Sequence, residues 1–312
     1  MTATPKVSIG LPVYNGERYL SEALESLVSQ TFEDLEIIVV DNCSTDRTAE
    51  IARSFASRDP RVRYVRNPRN IGAAGNFKRA FHLSKGMYFK WMAHDDVCLP
   101  DFVRHCVEVL DARPDVVLAY PSPLDIDENG SVIGPRDAGL DFTKETPFER
   151  FRDQMIKGHA AVVLFGLIRS RVLGRTALHG RYPGSDRILL AELALYGKFH
   201  ELPKQTFLHR EHADRGYHAH KSPQQAIAFF DPGRSGRLPF TMWRRLGGYL
   251  GAATRAPIGP GQRLRCYVQM GRWSVRGWRP LADEILSGAR ALGRRAIGAV
   301  SGAHRPSQLD DV

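Results

Sequence analysis

Apolar and polar residues alternate in blocks along the first third of the chain, and the blocks predict strands that alternate with helices. Apolar runs at residues 7–13, 35–40 and 87–93 predict three strands, and residues 61–66, where Val and Tyr alternate with Arg, predict another. A helix follows the first strand, another runs from the polar turn 42–46 to Ser57 with Thr45 or Asp46 as N-cap, and a short one is expected at 77–84 after the loop 67–76. The first helix places its apolar residues at helical spacing, namely Leu20, Ala23, Leu24, Leu27 and Val28.

Strands that alternate with helices of this length predict an α/β fold, a mainly parallel sheet with right-handed crossovers. Each predicted strand stops at a polar cluster, and the carboxyl ends of parallel strands meet at one edge of the sheet. We therefore expect the polar clusters to form one site. Further along the chain, Asp127-Glu-Asn-Gly-Ser131 has the composition of a hairpin turn, which adds antiparallel strands to the sheet.

The fourth predicted strand ends at two adjacent carboxylates, Asp95 and Asp96. Paired carboxylates suit a hard divalent cation such as Mg²⁺ or Mn²⁺, which completes its coordination with water and phosphate oxygens. The alternative is that Asp96 only precedes the next helix, because Leu99-Pro100-Asp101 has the composition of a helix start.

Length and composition favour an enzyme of the cytoplasm. A chain of 312 residues with 43% hydrophobic content can bury a large core. Four cysteines, Cys43, Cys98, Cys106 and Cys266, are scattered without metal-site spacing, which favours free thiols in a reducing compartment. The longest apolar stretch, residues 160–168, is far shorter than the ~20 residues of a membrane helix, and the N-terminus has no secretory signal.

Most of the net charge of +10 lies in residues 231–312, which hold 14 arginines, no lysine and 5 acidic residues. This tail also contains Trp243, Trp273 and Trp278. Arginine interleaved with tryptophan favours peripheral attachment to an anionic membrane, here the inner face of the cell membrane. The alternatives are helices that pack on the rest of the chain or on another copy of it, and, less favoured, nucleic-acid binding.

Residues 233–238 are a candidate boundary between domains, and residues 301–312 are expected to be disordered.

The order of these motifs resembles the family-2 glycosyltransferases of the GT-A fold over residues 7–213. The motifs are Pro12-Val-Tyr-Asn15 with Glu17, Val39-Val-Asp-Asn-Cys-Ser-Thr-Asp46, Asn70-Ile-Gly72 and the carboxylate pair. The resemblance implies a mixed, mainly parallel Rossmann-like sheet flanked by helices, with a C-terminal helical extension. It divides the chain into a glycosyltransferase domain, 1–230, with a nucleotide-binding half (1–120) and an acceptor half (121–230), and a basic helical tail, 231–312.

The resemblance also implies roles for individual residues. Tyr14 would lie against the nucleotide base and Asp41 would accept a hydrogen bond from it, whereas Ser44 and Asp46 would shape the turn. Asp96 would bind the metal directly, and Asp95 would lie near the ribose or the metal. His212, in an Arg-x-His motif with Arg210, would lie near the metal or the diphosphate. The implied nucleotide-binding set is Pro12, Tyr14, Glu17, Asp41, Asn70, Lys78 and Asp95, and the implied metal set is Asp95, Asp96 and His212.

The sequence departs from the family pattern at two positions. Ala93 stands where many relatives have the first acid of an Asp-x-Asp motif, which leaves the number of protein–metal contacts open. Gly75 stands where many relatives have an arginine before Asn76, so Lys78 or Arg79 would replace it in phosphate contact, unless both are solvated.

Asp186 is the candidate catalytic base. It opens an apolar helix after Tyr182-Pro-Gly-Ser185 and matches the catalytic carboxylate of the family. A helix N-terminus stabilises an ionised carboxylate, which could deprotonate an acceptor hydroxyl. The alternative is that Asp186 or Ser185 only caps the helix.

These features predict a metal-dependent, inverting transfer of sugar from a UDP-, dTDP- or GDP-linked donor to a hydroxyl acceptor, with a lipid-linked acceptor among the candidates. Arginine outnumbers lysine 35 to 9, which is typical of GC-rich bacteria and favours a role in cell-envelope glycan, glycolipid or secondary-metabolite synthesis.

A sugar nucleotidyltransferase should have a Gly-rich phosphate loop after the first strand, and it is disfavoured because Val13-Tyr-Asn-Gly-Glu-Arg18 holds one glycine and one arginine. A dehydrogenase is disfavoured because no Gly-x-Gly-x-x-Gly follows a strand. A catalytically silent binding protein of the same fold remains the alternative from another class.

Overall fold

The computed structural model describes residues 4–136, 143–157, 161–213, 215, 222–234 and 240–302. The strands are β1 (Val7–Val13), β2 (Leu35–Asp41), β3 (Val62–Arg66), β4 (Tyr88–Trp91), β5 (Val97–Cys98), β6 (Val116–Ile126), β7 (Val132–Pro135), β8 (Leu167–Arg169) and β9 (Lys198–Arg210). The helices are α1 (Leu20–Val28), α2 (Thr48–Arg58), α3 (Ala73–His82), α4 (Phe102–Ala112), α5 (Pro147–Lys157), α6 (Ser170–Leu173), α7 (Ser185–Tyr196), α8 (Pro223–Phe230), α9 (Thr241–Arg255), α10 (Pro260–Arg276) and α11 (Trp278–Gly302). Short 3-10 helices cover Ala161–Phe165 and Pro232–Arg234.

The strands form one mixed sheet in the order β3-β2-β1-β4-β8-β6-β9-β5, with β7 paired to β6. Strands β1 to β4 are parallel to one another, and so are β6 and β9. Strand β8 runs antiparallel between β4 and β6, and β5 runs antiparallel to β9. The predicted mixed, mainly parallel sheet with flanking helices is therefore confirmed, and the predicted hairpin at Asp127–Ser131 joins β6 to β7.

The core lies in two layers, one on each face of the sheet. One face of β1 and β2 packs against α1 and α4 through residues such as Ile9, Leu24 and Phe102. The other face packs against α3 and α7 through residues such as Ile38, Phe89 and Leu193. The apolar positions predicted for α1 at Leu20, Ala23, Leu24 and Leu27 are all buried, and the four cysteines are free thiols, as expected.

Two local predictions are wrong. Helix α3 begins at Ala73 rather than Phe77, because Gly72 adopts a left-handed backbone (φ 77°) that ends the loop early. A Cβ atom on Gly72 would lie 2.4 Å from the carbonyl oxygen of Phe230, so α8 also requires glycine there. The N-cap position of α2 is Arg47, which makes no side-chain cap, whereas Asp46, one position earlier, accepts a hydrogen bond from the amide of Thr48 (3.0 Å).

The C-terminal helices share a third apolar core with α5 and α7. Its buried members include Phe151, Ile188, Tyr249, Cys266 and Met270. Helices α9 and α10 therefore pack on the sheet domain, one of the alternatives that the sequence left open. No described helix is long and apolar enough to cross a membrane. The expected boundary at 233–238 and the expected disordered end at 301–312 lie mostly outside the described residues.

Candidate active site

The loops that follow β1 and β2 are joined by reciprocal hydrogen bonds. The amide of Asn15 donates to Ser44 Oγ (2.9 Å), and the amide of Glu17 donates to Asp46 Oδ2 (3.0 Å). In return, Glu17 Oε2 accepts from the amide of Arg47 (3.0 Å). Glu17, Ser44 and Asp46 thus hold the two loops together.

Asp41 lies at the edge where these loops meet. It is the buried last residue of β2 and pairs in register with Val13, which precedes the exposed Tyr14; Pro12 is buried one position earlier. Asp41 Oδ2 accepts from Tyr64 Oη (2.7 Å) and Arg66 Nη1 (3.3 Å), and Oδ1 accepts from the amide of Ser44 (2.8 Å). Because a carboxylate oxygen accepts two hydrogen bonds, Oδ1 can take one more donor.

Four asparagines hold the loop after β3 against β1 and β2. Asn42 Nδ2 donates to Asn70 Oδ1 (2.8 Å), and Asn67 Nδ2 donates to both Asn42 Oδ1 and Asn76 Oδ1 (2.9 Å each). Asn70 Oδ1 also accepts from the amide of Gly72 (2.8 Å), at the start of α3. Asn70 is therefore part of the frame of the site, and a buried network of this kind fixes the loop in one arrangement.

The carboxylate pair lies between β4 and β5, at the same edge of the sheet. Asp95 and Asp96 are both buried, and Asp95 Oδ2 lies 2.9 Å from Nε2 of His212, which follows β9. Gly16 allows the β1 loop to approach this segment, because a Cβ atom there would lie 2.7 Å from the ring of His94. The structure thus brings together three of the predicted residues, Asp95, Asp96 and His212.

The two carboxylates differ electrostatically. Burial raises the pKa of both, but for Asp95 the hydrogen bond from His212 and the charges of His94 and Arg215 outweigh it, and the pKa is lowered. For Asp96 the charge of Asp95 adds to burial, and the pKa is raised. A cation between them would favour the ionised form of both.

Asp96 has one oxygen without a partner. Its Oδ1 accepts from the backbone amide of Arg210 (2.9 Å), whereas the buried Oδ2 has no hydrogen-bond partner in the described part of the chain. The N-terminus of α4 does not use Asp96, because α4 begins only at Phe102 with Asp101 as its N-cap residue. A buried carboxylate oxygen without a donor is costly unless a cation satisfies it. Mg²⁺ or Mn²⁺, which prefer oxygen ligands, would satisfy this oxygen of Asp96. His212 Nε2 already pairs with Asp95, and among the described residues the group of three ligand atoms within 4.8 Å of one another is that of Asp125, His209 and Glu211.

The buried Arg210 holds the carboxylate segment in place through hydrogen bonds. Its Nε donates to the carbonyl of Asp95 (2.9 Å), its Nη1 to the carbonyls of Asp127 (3.3 Å) and Glu128 (3.4 Å), and its Nη2 to Glu22 Oε2 (2.6 Å). The guanidinium thus ties the carboxylate segment to the hairpin turn and to α1. These contacts make Arg210 a positioning residue for the pair rather than a group pointed at a phosphate.

A second acidic cluster consists of Asp125, His209 and Glu211, whose ligand atoms lie within 4.8 Å of one another. Arg136 pairs with Asp125 (2.7 Å) and Arg215 with Glu211 (3.1 Å). Burial and the charges of Arg215 and Arg136 lower the pKa of His209 to about 3. Because two arginines already neutralise the two acids, this cluster is an ion-pair network.

Lys78, another of the predicted site residues, lies near Arg181 and His179. Lys78, on α3, is half-buried, and burial together with the nearby charge of Arg181 lowers its pKa. Burial and the charge of Lys78 lower the pKa of the neighbouring His179 to about 3. Lys78 has no acidic partner among the described residues, so an anion would stabilise it. Arg79 lies one position further along α3 and is likewise partly exposed.

Asp186 is the second residue of α7, and the N-cap position belongs to Gly184, whose φ is 80°. Asp186 Oδ1 accepts only from the adjacent amide of Arg187 (2.9 Å), and the buried Oγ of Ser185 has no partner in the described residues. Neither residue occupies the N-cap position, so the N-cap alternative is wrong, although Asp186 accepts from one amide of the first turn. Within the described residues, no hydrogen bond or ion pair joins Asp186 to the carboxylate pair.

Several contributors to the site were not expected from the sequence. Tyr64 and Arg66 bind Asp41, and a signal for Arg66 was available, because Arg66 and Asp41 are paired at the ends of neighbouring strands. Lys90, fully buried in β4, donates to the carbonyl of Phe165 and lies 4.2 Å from the ring centre of Phe102. Burial lowers the pKa of Lys90.

Comparisons with known proteins agree with this architecture. The chain is 33% identical over 179 residues to an uncharacterized glycosyltransferase of Rickettsia typhi, a match that covers 57% of this chain and 51% of the relative. The chain spans about half the length of the curated relatives it matches. The Staphylococcus aureus TarS fragment 1–349, solved with UDP-GlcNAc, superposes with a TM-score of 0.60 at 18% identity, covering 83% of this chain and 69% of that fragment.

The mannosyltransferase PcManGT of Pyrobaculum calidifontis, solved with GDP-Man and Mn²⁺, superposes with a TM-score of 0.51 at 16% identity over 92% of this chain and 87% of its own. At these identities the two structures establish the fold. The family model for glycosyl transferase family 2 matches residues 8–173, more than half of the chain. The chain therefore belongs to glycosyl transferase family 2.

Proposed function

We propose that the chain transfers a sugar from a nucleotide-diphosphate donor to an acceptor hydroxyl, with inversion at the anomeric carbon. The observation that carries the proposal is the buried Oδ2 of Asp96, which has no hydrogen-bond partner among the described residues. It adjoins the Asp95–His212 pair, at the same sheet edge as Asp41. In a family-2 chain this arrangement supports a cation at the carboxylate pair, where it would neutralise the diphosphate of the donor.

The nucleotide would bind along the β1 and β2 ends. Asp41 would accept from the base through the free capacity of Oδ1, and Tyr14, exposed at 46%, would lie against the base. Pro12, Glu17 and Asn70 would shape this subsite through the loop contacts described above. The TarS structure contains UDP-GlcNAc and the PcManGT structure contains GDP-Man, which supports a nucleotide-sugar donor and leaves the base and the sugar to experiment.

Asp95, Asp96 and His212 would hold Mg²⁺ or Mn²⁺. The cation, when bound, would neutralise the departing diphosphate. The presence of Mn²⁺ in the PcManGT structure supports this choice of ion. Lys78 would add positive charge next to the same phosphates, because it is half-buried without an acidic partner in the described residues.

Asp186 would act as the general base. It would take the proton of the acceptor hydroxyl while the acceptor oxygen bonds to the anomeric carbon and the bond from that carbon to the diphosphate breaks. Attack from the face opposite the leaving group inverts the configuration. Loops around the site must exclude water, since water would otherwise hydrolyse the donor.

Residues 121–230 would form the acceptor side. The Arg-rich composition supports a role in bacterial cell-envelope glycan, glycolipid or secondary-metabolite synthesis, with a hydroxyl of a saccharide or of a lipid-linked precursor as acceptor.

A donor screen tests this function. The full chain is incubated with UDP-, dTDP- and GDP-sugars and a panel of saccharide acceptors, with Mn²⁺ or Mg²⁺ and with EDTA. Release of the matching nucleoside diphosphate from one donor, lost in EDTA, is expected. Release of pyrophosphate would instead identify a nucleotidyltransferase, and tight donor binding without release of either product would identify a binding protein.

A further inference from the structure

The outward face of α10 carries a stripe of exposed apolar side chains that continues to the start of α11. The stripe consists of Leu264, Val268, Val275 and Trp278, which are 62%, 47%, 73% and 59% exposed. Their spacing of three, four or seven residues places them along one side of the helix.

The opposite face of α10 is fixed to the protein. Cys266 and Met270 are buried in the core shared with α5 and α7, and the ring of Trp273 lies 6.1 Å from that of Tyr249. The helix is therefore held with its apolar stripe outward. Trp273, which the sequence made a candidate for membrane insertion, belongs to the packed side.

A row of arginines borders the stripe. Arg265, Arg272 and Arg276 are exposed and lie along one line of the helix, and α10 contains no acidic residue. None of the three forms an ion pair within the described residues. Arg279 continues the row, with its guanidinium 5.8 Å from the ring of Trp278.

We infer that the stripe and the arginine row together form a surface that docks on an anionic lipid bilayer. The apolar side chains would enter the interface between headgroups and acyl chains while the arginines pair with lipid phosphates, the arrangement typical of an interfacial amphipathic helix. Helix α10 would lie in the membrane plane with the sheet domain on its buried side.

The charges on this face of α10 argue against a second copy of the chain or a nucleic acid as its partner. A second copy docked through the stripe would bring arginine rows close together without any acid on α10 to pair with them. A nucleic acid would bind the arginines but would leave the apolar stripe in water. Only an anionic lipid surface satisfies both halves of this face. The inference does not depend on the proposed transferase activity.

Vesicle flotation with the full chain tests the inference. The protein is floated with phosphatidylcholine vesicles and with vesicles that also contain phosphatidylglycerol, at low and at high salt. We expect flotation on the anionic vesicles only. Removing the row with Arg265→Gln, Arg272→Gln and Arg276→Gln should lower the partition coefficient by about 100-fold at low salt, as each surface arginine attracts anionic lipid. Replacing the stripe with Leu264→Ser, Val275→Ser and Trp278→Ser should abolish the fraction that stays bound at high salt.

Matched controls separate this surface from general charge and general hydrophobicity. Arg58→Gln, Arg171→Gln and Arg175→Gln remove the same charge from other exposed positions, and Val132→Ser with Ile133→Ser removes exposed apolar residues from β7. Both controls should float like the unmodified chain, and circular dichroism should show that every variant is folded. Equal flotation on neutral and anionic vesicles, or controls as defective as the α10 variants, would overturn the inference. A dimer in sedimentation that the stripe variant disrupts, without vesicle binding, would assign the face to a second copy instead.

Discussion

Nε2 of His212 lies 2.9 Å from Oδ2 of Asp95, although 117 positions separate the two residues in the chain. The contact joins the end of β9 to the end of β4, and Arg210, two residues before His212, donates to the carbonyl of the same aspartate (2.9 Å). The candidate cation ligands are thus placed by long-range packing. Such preorganisation lowers the cost of ordering the site on binding.

The first prediction concerns Asp96. Asp96→Asn should abolish sugar transfer and the increase in melting temperature on adding Mn²⁺ with a nucleoside diphosphate, because the unpaired Oδ2 would no longer be an anionic ligand. Without metal the variant should be at least as stable as the unmodified protein, since a buried charge is removed. Calorimetric melting with and without Mn²⁺ measures both effects.

Asp125→Asn is the control for this experiment, because Asp125 belongs to the ion-pair network that holds His209 and Arg136. It should lower the melting temperature but keep the response to Mn²⁺. A metal response that survives in Asp96→Asn and disappears in Asp125→Asn would place the cation at the other cluster.

The second prediction concerns Asp186. Asp186→Asn should reduce the turnover number by roughly 10²–10⁴ while donor affinity is preserved, since only the proton acceptor is lost. Its melting temperature should change little, because Gly184 rather than Asp186 occupies the N-cap of α7. Ser185→Ala, one position earlier, should leave turnover nearly unchanged. Titration calorimetry with the donor distinguishes lost chemistry from lost binding, and a large fall in melting temperature would make Asp186 a structural residue.

The sequence predicted the parts of the fold that depend on local pattern. The first two strands and α1 follow from apolar runs and helical spacing, and the meeting of Asp41 and the carboxylate pair at one edge follows from parallel strand order. The start of α3 could not be predicted in this way, because it depends on the left-handed backbone of Gly72 and on the contact with Phe230, which is distant in sequence.

Long-range contacts also explain what was missed in the site. The role of Arg210 depends on carbonyls and on a carboxylate from three separate segments, and no spacing along the chain reveals them. The orientation of the C-terminal helices likewise could not be predicted from the sequence. The composition of the tail indicated an interface, but only the packing of Trp273 and the exposure of Leu264 show which side of α10 faces outward.

The third prediction concerns Lys78. Lys78→Met should weaken binding of nucleoside diphosphate, because a positive charge beside the phosphates is lost. It should not destabilise the ligand-free protein, because the ammonium is half-buried near Arg181 and its charged form is already disfavoured there. Lys85→Met removes an exposed lysine that follows α3 and should change neither property. Equal affinities of Lys78→Met and Lys85→Met would show that Lys78 does not contact phosphate.

The fourth prediction is a pH dependence that arises from His179. Its ring packs between Phe77 and Trp91 at 4.7 and 4.8 Å, and its folded-state pKa is about 3. In the unfolded chain the histidine pKa is about 6.5, so the unfolded state binds the proton more tightly than the folded state does. The free energy of unfolding is therefore highest above pH 6.5 and decreases as the pH falls toward 3. Between pH 7 and 5 the loss amounts to about 2 kcal/mol.

His179→Phe should remove that part of the pH dependence while keeping the aromatic packing. Urea unfolding at pH 7, 6 and 5 measures it. His82→Phe, at an exposed position on α3, is the control and should retain the original slope. Parallel slopes for the two variants would show that another group causes the acid sensitivity.

The last prediction concerns the attachment of the C-terminal helices. Arg255, at the end of α9, donates from Nε to Glu192 Oε1 (2.8 Å) and from Nη2 to Oε2 (3.1 Å), and Glu192 is buried on α7. Arg255→Met should reduce the free energy of unfolding by about 1–3 kcal/mol, because it leaves a buried carboxylate without its charged partner while Arg255 itself is partly exposed. Adding Glu192→Gln should restore most of the loss, since Gln keeps an acceptor for the amide of Ala177, 3.1 Å from Glu192 Oε2. Arg47→Met, which breaks the exposed pair with Glu50, should lower the free energy of unfolding far less, because solvent screens that pair. If Arg255→Met cost no more than Arg47→Met in urea unfolding, α9 would be only loosely attached, and the orientation of α10 that places its apolar stripe outward would lose its support.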